Sequence, residues 1–132
     1  MSKQNIELAR EVLNTLEERD ASRLVALADP EVEWHSFFAV GESDGSYRGH
    51  EGTRRYMSDL EDAFEIGRGD VDDVLAVGDV VVLVGRIHFR GKGSGVEGES
   101  PTGWMLKFHN GKVLCFRAFR EPEQALEAIG LK

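Results

Sequence analysis

The stretch "DVDDVLAVGDVVVLVGRIHF", residues 70–89, marks where the chain changes its period. Before it, apolar residues recur at helical spacing; from here onward they alternate as in strands. Gly78-Asp79 divides it into two extended segments and signals a hairpin turn. The second segment is apolar over 80–89 except for Arg86 and His88, which lie two apart and therefore share a side of the strand.

Upstream, residues 4–18 carry Ile6, Ala9, Val12, Leu13 and Leu16 on one helical face. Asp20 can cap a second short helix over 21–28, which stops before Asp29-Pro30 because the residue preceding proline disfavours helical backbone. "EVEWHSF" (31–37) reads as a short strand, and "AVGESDGSYRG" (39–49) as a loop. A third helix covers 50–64, with Tyr56, Met57, Leu60 and Phe64 as its apolar stripe. Downstream, "GKGSG" (91–95) reads as a flexible connection suited to a lid. Strands follow at 96–109 and 112–120, joined by the hairpin signal Asn110-Gly111. Residues 121–130 form a closing helix, with Pro122 near its start and Gly130 past its end. Helices first and a meandering sheet second predict an α+β domain spanning 1–132. Three N-terminal helices roof a curved, cone-shaped antiparallel or mixed sheet, with a short helix at the C-terminus; strands of this length curl and leave a mouth.

The chain has 132 residues with a formal net charge of −8, which argues against a nucleic-acid surface or anionic lipid as partner. No apolar run reaches the roughly 20 residues of a membrane span, and the acidic, amphipathic N-terminus is neither a signal nor a transit peptide. The single cysteine, Cys115, fits a reducing compartment, and the expected location is the cytoplasm. His35, His50 and His109 are scattered, so no metal site and no cofactor are expected. "RGHEGTRR" lacks the spacing of a phosphate loop and reads as turn and cap geometry.

"YRGHEGTRRYM", "SGVEGESPTGWMLKFHNGKV" and "FREPEQALEAIGL" together make the chain resemble the SnoaL-like branch of the nuclear-transport-factor-2-like superfamily. Its members include ketosteroid isomerases, polyketide cyclases and limonene epoxide hydrolase. The resemblance covers nearly the whole chain and implies a deep apolar pocket between sheet and helices, commonly in a dimer. It is specific for fold and weak for activity, since the superfamily hosts enzymes and non-enzymes alike.

The resemblance also assigns faces. It turns Val82, Val84, Arg86 and His88 inward, together with Trp34, Trp104, Leu106, Phe108, Leu114, Phe116, Ala118 and Arg120. In the epoxide hydrolases, arginine and aspartate two apart work with a second aspartate on the last strand; here those aspartate positions hold His88 and Ala118. His88 then becomes the candidate proton-transfer group and Arg86 the stabiliser of developing negative charge. Alternatively, Arg86 pairs with Glu33 or Glu99 and His88 is a hydrogen-bonded wall residue. The acidic and tyrosine groups of the ketosteroid isomerases correspond to Trp34, Val12 and Trp104 here, so that machinery is absent. Trp34, Tyr56, Trp104, Leu106, Phe116, Ala118 and Arg120 are the candidate ligand contacts, for an apolar or aromatic molecule. Trp34 and Trp104 serve equally well as simple filling, Tyr56 as core, and Arg120 as a partner of Glu121 or Glu123. Ile87, Phe89, Met105, Val113, Cys115 and Phe119 fall on the side away from the helices, a patch that suits homodimerisation unless these groups are merely scattered. Two functions stand against each other: a cofactor-free isomerase, cyclase or hydrolase, and a non-catalytic ligand-binding or dimeric module.

Overall fold

The computed structural model describes residues 2–35 and 46–130. Three helices come first: α1 (Ser2–Glu18), α2 (Ala21–Leu27) and α3 (Gly49–Ala63). The strands are β1 (Ala28–His35), β2 (Ser46–Arg48), β3 (Phe64–Val77), β4 (Val80–Gly91), β5 (Glu97–His109) and β6 (Lys112–Phe119), and α4 (Pro122–Ala128) follows. The strands form one sheet in the order β2-β1-β6-β5-β4-β3. β1 runs parallel to β6 and every other pair is antiparallel, so the sheet is mixed and the architecture is α+β. No helix among the described residues is long and apolar enough to cross a membrane.

The helices form where the periodicity places them. Ala9, Val12 and Leu13 of α1, Leu24 of α2, and Tyr56 and Met57 of α3 are buried in one cluster with Trp34, Leu83, Trp104, Leu106 and Phe116 of the sheet. Asp20 caps α2, its side chain accepting from the Arg23 N–H at 3.1 Å. The Asn110-Gly111 turn has both residues at positive φ, as a two-residue hairpin requires. α4 packs on the opposite face of the sheet: a Cβ placed at Gly103 would lie 2.8 Å from the Ala125 Cβ. That close approach leaves room only for glycine and buries Val82 from the far side.

Several boundaries differ from the sequence expectation. Phe64 begins β3 rather than ending the third helix, and β3 starts six residues earlier than the alternation suggests. The segment 46–48, expected as loop, pairs with β1 as a short edge strand; the remainder of that loop, 39–45, lies outside the described residues, as do 36–37 of the expected first strand. The turn after β4 is closed rather than loose: Gly91 N–H donates to the Val96 carbonyl at 2.8 Å and Lys92 N–H to the Ala63 carbonyl at 2.9 Å. A lid there would first have to break its tie to the end of α3.

Two corrections concern which way side chains face. On β4, Val81 and Leu83 pair directly with Leu106 and Trp104, so they share the helix-covered face with them. Val82, Val84, Arg86 and His88 therefore point to the outer face, opposite to the sequence expectation. On β6, Phe108 pairs with Val113 while Lys107 pairs with Cys115, which leaves Leu114 as the extra residue of a bulge. The bulge reverses the alternation, and Val113 joins the core instead of the outer surface.

A candidate ligand-binding cavity and its arginine

Between α1, α3 and the concave face of β3–β6 lies a cavity of about 80 Å³. Its walls are apolar: Leu13 and Leu16 from α1, Leu60 from α3, Ile87 and Phe89 from β4, and the rings of Tyr56, Phe64, Trp104 and Phe116. Each ring is fixed by its neighbours. Phe64 meets Phe89 edge-on at 6.1 Å between centroids, and Tyr56 stands 6.4 Å from Phe116. Gly69 lets Trp104 lie across β3, since a Cβ there would sit 3.2 Å from the indole.

The charged side chains lining the cavity are Glu17, Arg19 and Arg68, and Tyr56 lines it too. Glu17 is held in place: its Oε1 accepts the Gly69 N–H of the edge strand at 2.7 Å. Arg19 is the residue that sequence reasoning passed over. It ends α1 in the left-handed region, with φ +59°. Its N–H donates to the Leu16 carbonyl and the Asp20 N–H to the Thr15 carbonyl, the hydrogen-bond pair of a Schellman cap. Glycine is the usual residue at that position, and a residue with a Cβ costs on the order of 1 kcal/mol there. Arg19 nonetheless sends its guanidinium to the cavity wall, with Nη2 beside Gly67. Its Nη1 is buried and has no hydrogen-bond partner. Burial pushes the Arg19 guanidinium below its ordinary pKa, against the opposing pull of Glu61 and Tyr56.

The residues singled out by sequence separate into three groups. Tyr56, Trp104, Phe116 and Ala118 line the cavity. Trp34 and Leu106 are fully buried behind it. Trp34 donates from Nε1 to Thr53 Oγ1 at 2.7 Å and packs on Phe116 at 5.2 Å, so it fills the cone rather than lining it. Arg86, His88 and Arg120 do not border the cavity. Arg86 is 46% exposed and reaches Glu99 at 3.1 Å and Asp72 at 3.7 Å. His88 Nε2 lies 2.7 Å from Asp70 Oδ2, and Nδ1 lies 3.3 Å from Glu99 Oε2. The alternative pairing of Arg86 with Glu99 is thus the one observed. Arg120 is exposed beyond the end of β6.

The outer apolar patch also shrinks. Ile87 and Phe89 line the cavity and Val113 is core, which leaves Met105, Cys115 and Phe119 half-buried on the outer face. Burial first, and Glu33 second, push the Cys115 thiol above its ordinary value, against Arg117 and Lys107; it is a poor nucleophile.

Comparison with known proteins agrees with this fold. The family model of the SnoaL-like domain matches residues 9–116. A nuclear-transport-factor-2-like protein of unknown function from Burkholderia pseudomallei superposes with a TM-score of 0.78 at 18% identity, covering 96% of this chain and 98% of that one. TerC, co-crystallised with polyporic acid, gives 0.75 at 19% identity, covering 96% and 98%. A protein of ketosteroid isomerase-like fold from Catenulispora acidiphila, in complex with trimethylamine, gives 0.75 at 14% identity, covering 96% and 94%. No curated protein matches the chain.

Proposed function

Because the chain belongs to the SnoaL-like domain family, we propose that it binds one small apolar or aromatic molecule in the cavity beneath α1 and α3. The observation that carries this reading is a cavity walled by five aromatic rings and edged by Glu17, Arg19 and Arg68. Apolar walls with a few convergent polar groups are what small-molecule sites have in common. Two structures of the same fold, TerC and the Catenulispora protein, were solved with small molecules, which supports a binding role without fixing the ligand. The cavity is smaller than the ~150 Å³ apolar cavity that takes up benzene, so even a single-ring ligand keeps part of its ring in the mouth.

Binding is the reading preferred over turnover by His88. That imidazole stands on the other face of the sheet, between Asp70 and Glu99. Proton transfer inside the cavity, in an isomerase, cyclase or hydrolase, falls instead to Glu17 and Tyr56, which line it. The experiment is a titration with single-ring aromatic molecules followed by indole fluorescence and thermal melting. Quenching of Trp104 and a raised Tm are expected, and Ala118→Leu, which fills the cavity, should remove both. Unchanged fluorescence and Tm at millimolar ligand, or responses indifferent to Ala118→Leu, contradict the reading.

We propose also that two copies associate through the outer face, as the family resemblance implies. Met105, Cys115 and Phe119 supply the apolar centre, and Arg117 stacks over Phe119 at 5.4 Å. Light scattering should give the mass of two chains, reduced to one by Phe119→Lys; a single-chain mass for the unaltered protein at micromolar concentration contradicts it.

A further inference from the structure

We propose that Arg19 is the recognition group of this cavity, and that the ligand carries one anionic oxygen group, a carboxylate or an ionised phenol or enol, on its apolar ring. The inference rests on the cavity being a ligand site and names the ligand's polar end.

Three features meet at this residue. First, Nη1 is buried without a partner, a state that folded proteins rarely leave standing. The carboxylates nearby make no hydrogen bond to it: Glu17 Oε1 accepts the Gly69 N–H, and Glu61 acts on Arg19 as a neighbouring charge. Second, the backbone of Arg19 is in the left-handed region, and among the described residues it shares positive φ only with glycines and the turn residue Asn110. Glycine would form the same helix end without strain, so the side chain itself must be what the position holds on to. Third, the guanidinium borders the cavity, with Nη2 beside Gly67 of β3.

A ligand with no hydrogen-bond acceptor would leave the guanidinium unpaired, and a neutral carbonyl would offer it only a neutral hydrogen bond. An anionic oxygen offers the guanidinium that borders the cavity a charge-assisted acceptor, and a carboxylate matches its planar fork with two parallel hydrogen bonds. The net charge of −8 repels anions at long range, so a local cation is needed to hold one. The fold does not set the sign of the ligand by itself: one neighbouring structure was solved with an acid and another with an amine. Arg19 sets it here.

The test titrates benzoate, benzamide and 4-nitrophenolate into the isotopically labelled protein and reads affinity from chemical-shift changes. The unaltered protein should bind benzoate at least about tenfold more tightly than benzamide, the size of one charge-assisted hydrogen bond. The phenolate arm reports whether an ionised phenol serves as well as a carboxylate. In Arg19→Met and Arg19→Gly, benzoate and benzamide should bind alike, at about the benzamide affinity. Arg19→Gly should also melt higher by roughly 3 °C or more, because it relieves the backbone strain. An arginine with a merely structural role would instead lower the melting temperature on replacement. Equal binding of benzoate and benzamide to the unaltered protein, or a preference that survives both substitutions, overturns this inference and leaves the cavity reading intact. Binding of none of the probes overturns both.

Discussion

Replacement of Trp34 by phenylalanine separates filling from contact more sharply than any other single change. Trp34 is fully buried, and its indole Nε1 donates to Thr53 Oγ1 at 2.7 Å. Thr53 in turn donates to the Gly49 carbonyl at 2.8 Å, so the hydroxyl is used as acceptor and donor at once. Phenylalanine removes the first of these bonds, worth about 1 kcal/mol. It also deletes roughly three ring atoms from a packed site beside Phe116, worth about 1–2 kcal/mol with the void they leave. The expected loss is therefore about 2–3 kcal/mol, or a fall in Tm on the order of 10 °C for a chain of this length. Because Trp34 stands behind the cavity wall, the affinity for an aromatic ligand should be nearly unchanged. The assay is convenient: the chain has two tryptophans, so Trp34→Phe leaves Trp104 as the sole indole and the emission then reports the cavity alone. Thr53→Val in a double-mutant cycle should recover a coupling of about 1 kcal/mol between the two side chains. A Trp34→Phe protein that melts normally but no longer binds ligand would refute the reasoning, since it would place Trp34 on the cavity.

Other expectations follow from the same geometry. His88→Gln should leave ligand affinity unchanged and alter stability by no more than about 1 kcal/mol, the usual worth of a partly exposed ion pair; a loss of binding measured by the same titration would return His88 to the cavity. Cys115 should react slowly with iodoacetamide in the folded protein and at the ordinary thiol rate in urea, because burial raises its pKa. The folded thiol keeps its proton to higher pH than the unfolded one, so Cys115 withdraws stability as pH rises through its ordinary value of 9.0. Between about pH 8 and about pH 10, the Tm of the unaltered protein should accordingly fall relative to Cys115→Ala; a constant difference would show that burial does not raise this pKa.

The helices, the hairpins and the order of elements were legible because each rests on a local rule. Asp20 caps, Asn110-Gly111 turns, and Tyr56, Met57 and Leu60 recur at helical spacing. Facing on β4 was not legible because its first half is apolar on both sides. Val81 and Leu83 meet the core while α4 buries Val82 from the other side, so alternation offers no contrast. What decides the matter is register, and a one-residue slip reverses every side chain. Trp104 and Leu106 were expected to face the helices; pairing them with Leu83 and Val81 would have sent Arg86 and His88 outward at once. The bulge at Leu114 leaves no mark in the sequence, since leucine suits either face. Arg19 escaped notice for a different reason. The stretch "LEERDAS" looks like a charged helix end, and nothing in it shows that the arginine folds back under left-handed backbone. A helix ending without glycine, directly before a capping Asp20, is the one signal that was available.

Adjacent residues of β4 report directly which face of the sheet receives the ligand. Methyl-resolved NMR during titration with a single-ring aromatic carboxylate should shift Leu13, Leu60, Ile87 and Ala118, all on the cavity wall, and leave Val82 and Val84 on the outer face unmoved. Shifts confined to Val84 and the ring of His88, with Ile87 silent, would contradict binding in the cavity.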